Sequence, residues 1–316
     1  MKFRTELDIS KFRTSFRLNP QHSIIGIGSC FASNITCKMQ EHLWDAINPF
    51  GTLYNPLSIA LAIRTALNDN RQSAAESVFE SNRLYHTWLG DSSFSSRSVA
   101  EVVAKINNAC DLFIERMEKS PNIIITFGTA RCYFMASSPD KVVANCHKMP
   151  ASIFLYRRIS VSEIVEVWSD LLLDLKNRYP DLNIILTVSP VRHLKDGFHE
   201  NSISKSILLL AIEALCSKFT FCHYFPAYEL IMDDLRDYRF YASDLTHPSS
   251  DAINYIWEKF QDCYLDPEGV KRIKEGGALH RALAHRSILE SPEEYQQRVA
   301  RIKSEIDKFT NAQHTR

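Results

Sequence analysis

The stretch that decides the fold is SIIGIGSCFASNITCKMQEHL, residues 23–43. Ser23–Ile27 is an apolar run of strand length, Gly28-Ser29-Cys30 turns the chain, and Phe31–Leu43 reads as a helix. A strand that turns straight into a helix opens a βα unit. The pattern recurs downstream. Trp44–Ile47 leads into Asn48-Pro49-Phe50-Gly51, Ile123–Phe127 ends at Gly128-Thr129, Ile184–Val188 ends at Ser189-Pro190, and Phe219–Phe225 ends at Pro226. Runs that are apolar on successive residues are buried on both faces, the habit of parallel sheets.

Amphipathic stretches separate these runs. Val99–Lys119 puts Val102, Ile106, Cys110, Phe113 and Met117 on one stripe, and Ser98 with Glu101 has the spacing of a capping box. Ser160 with Glu163 repeats that spacing before Ile164, Val165, Trp168, Leu171, Leu172 and Leu175. Further helices are expected at Leu57–Leu67, Ser204–Lys218 and Ser250–Phe260. The expected fold class is α/β, a parallel five-stranded sheet with the first strand central and helices on both faces. Ligands of such sheets bind at the carboxyl ends of the strands.

The chain divides into an N-terminal arm (1–20), a main domain (21–263) and a charged helical C-terminal tail (264–316). A Ser-rich segment, 68–97, interrupts the domain as a loop or lid insertion carrying Tyr85, His86, Trp88 and Phe94.

Across 316 residues, 37 Lys+Arg balance 37 Asp+Glu, which argues against a nucleic-acid or membrane-surface protein working through bulk charge. No run approaches the roughly 20 apolar residues of a membrane helix, and the first residues have no apolar signal core. The eight cysteines are scattered without close pairs, so they read as reduced thiols and the expected location is the cytoplasm. Glycine is scarce, with nine against a usual frequency of about 7 %. Four of them, Gly26, Gly28, Gly51 and Gly128, stand at or just after apolar runs, which marks those turns as a site.

Two motifs offer chemistry there. Ser29-Cys30 lies where a strand becomes a helix, and the helix N-terminus presents N–H donors that lower a thiol pKa and stabilise an oxyanion. The same turn is equally built for Ser29 as N-cap over a buried Cys30. Late in the chain, Asp244-Leu245-Thr246-His247 spaces a carboxylate to hold imidazole Nδ1–H, leaving Nε2 as a base. Arg131, Arg192 and His193 follow strand ends and suit an anionic substrate group. Cys146-His147 lacks further ligands at zinc spacing, and no glycine-rich phosphate loop occurs, so no metal and no cofactor is expected.

Gly28-Ser29-Cys30-Phe31-Ala32 resembles the pentapeptide signature of the GSCFA family, a branch of the SGNH/GDSL esterase superfamily. The resemblance continues through NPFGTLYNP (48–56), FGTARCYF (127–134), VVANCHKMP (142–150), SPVRHLKDGFHEN (189–201) and DLTHPS (244–249). It implies a three-layer α/β/α flavodoxin-like fold carrying hydrolase or acyl-transfer machinery. The superfamily's Gly-Asp-Ser nucleophile motif places Cys30 at the Ser position and Ser29 at the Asp position, so either Cys30 or Ser29 attacks. Asp244 and His247 match the superfamily's Asp-x-x-His. By position Gly51 and Gly128 belong to the oxyanion hole; the Asn that normally follows Gly128 is missing, and Asn145 is the nearest amide. These residues describe a Cys (or Ser)-His-Asp hydrolase or acyltransferase acting on an ester or thioester of a small molecule or saccharide. The other function class open to the same residues is a binding module that has kept the fold without turnover.

Overall fold

The computed structural model describes residues 6–68, 72–285 and 290–311. Residues 1–5 of the arm, 69–71 of the insertion, and 286–289 and 312–316 of the tail lie outside the described residues. The main elements are β1 (Ile24–Gly28), α1 (Cys30–Glu41), β2 (Ala46–Ile47), α2 (Pro56–Leu67), α3 (Val99–Lys119), β3 (Asn122–Phe127), α4 (Val161–Arg178), β4 (Asn183–Val188), α5 (Phe198–Lys218), β5 (Cys222–Tyr224), α6 (Ser250–Tyr264), α7 (Pro267–Ala284) and α8 (Pro292–Asn311). The five strands form one parallel sheet in the order β2-β1-β3-β4-β5. This is the flavodoxin-like order.

β1 and β3 are neighbours, paired from Ile25↔Ile123 to Gly28↔Thr126. The central strand is β3, not β1 as the sequence suggested: β1 has only β2 beyond it, while β4 and β5 extend the sheet on the other side. Successive side chains of each strand enter opposite cores. Ile25, Ile27, Ile123, Ile125, Ile184 and Leu186 meet Val102, Ile106, Phe113, Trp168, Leu172 and Leu208 on one face. Ile24, Ile124 and Ile185 meet Phe31, Met39, Trp257 and Phe260 on the other. That two-sided burial is why the strands carry uninterrupted Ile, Leu and Val.

The caps agree only in part with the expected spacing. Ser160 and Glu163 form the capping box of α4, each side chain bonding the other's backbone N–H. Ser98 makes no side-chain cap bond to α3, and the Glu101 carboxylate accepts from the Ser96 hydroxyl instead of closing a capping box.

Between β3 and α4 the chain departs from simple alternation. A three-stranded antiparallel sheet of Arg131–Met135, Ser138–Val143 and Phe154–Arg158 stands over the carboxyl end of β3. The insertion carries structure too: a short helix (Gln72–Glu76), then an antiparallel hairpin of Val78–Ser81 with Leu84–Thr87. It is pinned to the domain by Asp91, whose Oδ2 accepts the Thr52 N–H at 2.8 Å. In the tail, Gly276 of α7 backs onto α1's end so closely that a Cβ there would stand 2.1 Å from the His42 carbonyl oxygen.

Candidate active site

The carboxyl ends of β1, β3 and β4 and the loop before α6 surround one open cleft of about 380 Å3. The turn after β1 forms its floor. Ser29 is buried and is the N-cap of α1, its Oγ accepting the Phe31 N–H at 3.3 Å and its carbonyl accepting the Ala32 N–H at 2.8 Å. Cys30, the first residue of α1, lines the cleft. Of the two adjacent candidates, the thiol faces the cleft and the hydroxyl is occupied by capping. Ser29→Ala is expected to lower the unfolding free energy by about 1 kcal/mol, the worth of a lost N-cap, while iodoacetamide still alkylates Cys30. Urea denaturation with peptide-mapped alkylation checks both.

The Cys30 thiol does not have the lowered pKa anticipated from its helix N-terminus. Burial pushes it up, more than the backbone N–H groups at Phe31 and Cys30 and the charge of Lys205 pull it down. Dipole and N–H donors act at the turn, but the hydration lost on partial burial outweighs them.

Asp244 and His247 meet as anticipated. Asp244 Oδ2 holds His247 Nδ1 at 2.6 Å, and Asp244 Oδ1 accepts the N–H groups of Thr246 and His247, both at 2.9 Å. Leu245 adopts a positive φ of 54°, which lets the loop fold back on itself. Three hydrogen bonds to the ionised form bring the exposed Asp244 carboxyl down to about 2. His247 and Cys30 line the same cleft although more than two hundred residues separate them.

The three expected oxyanion donors are not brought to the cleft. Gly128 N–H is already donated to the Tyr54 carbonyl at 2.7 Å, alongside Thr129 N–H at 2.9 Å. Gly51 (φ +65°) turns toward the insertion, where a Cβ would meet the Asp91 carboxylate at 3.0 Å. Asn145 bonds loop backbone instead: its Oδ1 accepts the His147 N–H at 2.8 Å. His147 in turn reaches the carbonyls of Thr87 (2.9 Å) and Gly90 (3.1 Å), so His147 fastens the insertion to the domain. Among the described residues, no cluster of three or more His, Cys, Asp or Glu is arranged to hold a metal ion.

The residue that sequence reasoning missed is Asn55. It caps α2 with Oδ1, which accepts the Ser58 N–H at 2.8 Å, and it lines the cleft beside Cys30. Its amide Nδ2 makes no hydrogen bond among the described residues, leaving two donors for a ligand. The signal was present in NPFGTLYNP, where an Asn directly before Pro marks a helix start.

The cleft wall is aromatic and cationic. Tyr133 and Tyr156 lie with ring centroids 4.4 Å apart, Tyr156 donates to Asp196 at 2.6 Å, and Lys195 meets the Tyr133 hydroxyl. Arg131 is paired with Glu200, which also takes Arg158 at 2.7 Å, so its charge is spoken for. Arg192 donates to the Met232 sulfur (3.4 Å) and lies 5.9 Å from the Tyr241 ring centre; it has no carboxylate partner among the described residues. His193 packs edge-on to Tyr54 with ring centres 5.2 Å apart, and its Nε2 stands 3.4 Å from where a Cβ on Gly128 would be.

Burial, then the nearby Lys205 charge, pulls His193 down to about 4, so it is neutral at pH 7. A histidine lowered from its usual 6.5 contributes stability above pH 6.5, and that contribution is lost as pH falls toward 4. This loss is expected to reach on the order of 3 kcal/mol. His193→Gln flattens it, as unfolding free energies measured between pH 7 and 4 will show.

The strand ends of this α/β/α sandwich bring a thiol and an imidazole, the latter held by a carboxylate, to one cleft. The GSCFA family model matches residues 23–260, well over half of the chain, and the protein belongs to that family. No functionally curated protein matches the sequence. Among the described residues, no helix is long and apolar enough to cross a membrane.

Proposed function

We propose that this GSCFA protein is an SGNH-like hydrolase or acyltransferase that cleaves an ester or thioester through Cys30, His247 and Asp244. One observation carries the proposal: Cys30 and His247 line a single cleft, with Asp244 seated on the far nitrogen of His247. Asp244 fixes the tautomer in which Nδ1 is protonated, so Nε2 is the free base.

His247 Nε2 takes the thiol proton as the Cys30 sulfur attacks the acyl carbonyl. The raised thiol pKa makes this transfer part of the attack, not a step completed beforehand. The tetrahedral oxyanion is met by the Cys30 N–H, the first of α1 and without an intrahelical acceptor, and by Asn55 Nδ2. As the intermediate collapses, the imidazolium returns the proton to the leaving oxygen or sulfur, and an acyl thioester remains on Cys30. Water, or a second hydroxyl or thiol, then attacks that thioester with the same base, which completes hydrolysis or transfer. Arg192 offers a monovalent anchor for a negative group on the substrate, and the Tyr133–Tyr156 pair offers a flat face for a saccharide or acyl chain.

A panel of aryl esters, acyl thioesters and acetylated sugars, assayed with wild type and His247→Ala, tests the proposal. Turnover of at least one class is expected, with a loss of about 10^3-fold or more in the variant. Ligand binding with no turnover of any class would favour the binding module instead. Asp244→Asn, which misorients the imidazole, is expected to lower kcat far more than it raises KM.

A further inference from the structure

The cleft holds a second histidine that the mechanism above leaves idle. His193 stands in the loop that follows β4 and lines the cleft together with Cys30 and His247. It is fixed at backbone and ring alike. Its backbone N–H donates to Asn201 Oδ1 at 2.9 Å, and its half-buried ring packs edge-on against Tyr54, with 85° between the ring planes. The ring nitrogens themselves bond no group among the described residues.

Nε2 is the nitrogen that reaches the nucleophile turn. A Cβ built on Gly128 would meet His193 Nε2 and Ser29 Cβ, each at 3.4 Å, so the ring tip and the residue before Cys30 flank one point. The Tyr54 carbonyl, 2.8 Å from the same point, already accepts the N–H groups of Gly128 and Thr129. Lys205, only 1 % exposed, holds the ends of β3 and β4 together, donating to the Gly128 carbonyl at 2.6 Å and the Ser189 carbonyl at 2.7 Å. The backbone around Nε2 is therefore fixed, and the open side of the ring is the cleft it lines.

The two histidines are set up for different work. Asp244 holds Nδ1 of His247 and so frees its Nε2 as the base. No carboxylate is hydrogen-bonded to the His193 ring among the described residues, and burial keeps that ring neutral at pH 7. A neutral imidazole carries one N–H, and a half-buried N–H without a partner is costly until an acceptor arrives. An acceptor on which charge develops gains most from such a donor, because the donor has no need to reorganise.

We infer that His193 is a further catalytic residue, whose Nε2–H donates to the oxyanion formed as Cys30 attacks the acyl carbonyl, beside the Cys30 N–H and Asn55 Nδ2. The inference rests on Cys30 as the nucleophile and deepens the function proposed above. No bond to His193 forms or breaks: it gives a hydrogen bond and keeps its proton, while the thiol proton passes through His247 to the leaving group.

The test compares two reactions of one thiol. Acylation by p-nitrophenyl acetate builds a tetrahedral oxyanion and releases p-nitrophenolate; alkylation by iodoacetamide displaces iodide and builds none. Both are followed by peptide mass mapping of Cys30 in wild type, His193→Leu, His193→Gln and His193→Asn. His193→Leu is expected to slow acylation by about 10^2-fold, while alkylation stays near the wild-type rate. The Gln amide nitrogen reaches the place of Nε2, so His193→Gln should recover much of the loss; Asn reaches only as far as Nδ1, and His193→Asn should not. Unchanged acylation in His193→Leu, or equal slowing of both reactions, overturns the inference. Should His193→Leu fail to fold, 15N NMR of the wild-type histidines decides: the Nε2–H tautomer of His193 at pH 7 is expected, and the Nδ1–H tautomer overturns the inference. Failure of the underlying function is read separately, in the wild type alone. Cys30 acylated no faster than the exposed Cys37 would reject acyl transfer, and the inference with it.

Discussion

Cys30→Ala is expected to abolish acyl transfer, with kcat/KM falling by at least about 10^4-fold, because it removes the attacking atom and leaves only binding and the oxyanion donors. The fold should be untouched, since Ser29 still caps α1 and the sheet face beneath is formed by Ile24 and Phe31. Cys30→Ser places a far weaker acid at the same position, so it should retain a trace of turnover through His247. Steady-state assays on the best ester or thioester, with thermal melts as control, check the triplet of proteins. Full activity in Cys30→Ala would move the chemistry to another residue.

The second large effect is on folding. A Cβ on Gly28 would stand 2.2 Å from the Thr126 carbonyl oxygen and 2.9 Å from the Thr126 nitrogen, all backbone of the central strand, and φ there is +138°. No rotamer relieves a clash between two backbones, so β1 must part from β3 or twist away from it. Gly28→Ala is expected to cost at least about 4 kcal/mol, the range reserved for overpacking and forced backbone strain. Gly197→Ala is the matched control. Its φ of +85° comes with an extended ψ of 166°, but nothing lies within 4 Å of its Cβ, so only the backbone conformation is penalised, by about 1–3 kcal/mol. Denaturant unfolding of both variants checks the contrast.

The sheet was legible because its strands are buried on both faces and therefore apolar throughout, as Ile123–Phe127 is. Which strand lies at the centre was not legible, since it depends on the side to which each crossover folds. The antiparallel sheet over β3 escaped notice because Ser138–Val143 is short, polar and largely exposed, with no alternation to read. At the site, Asp244 and His247 were visible because their pairing is local, three residues apart. The oxyanion donors were not. Gly128 sits in the right turn, but its N–H points at Tyr54, and peptide orientation is set by tertiary pairing. Asn55 was hidden by its own role as an N-cap, since one side chain carries both a capping oxygen and a donor nitrogen. Lys205 was hidden by convention, because a lysine in a helix is assigned to the solvent face. The Cys30 pKa failed for want of depth: the helix start was legible, the burial above it was not.

The central claim is that Cys30 carries the acyl group. Its most direct test is intact-mass and peptide-mapped mass spectrometry of the protein quenched with acid during turnover of an activated ester or thioester. The account predicts one acyl group per chain, on the peptide containing Cys30, as a hydroxylamine-labile thioester that is absent from Cys30→Ala and builds up more slowly in His247→Ala. Acylation of Ser29, or an acyl adduct undiminished in Cys30→Ala, would contradict it.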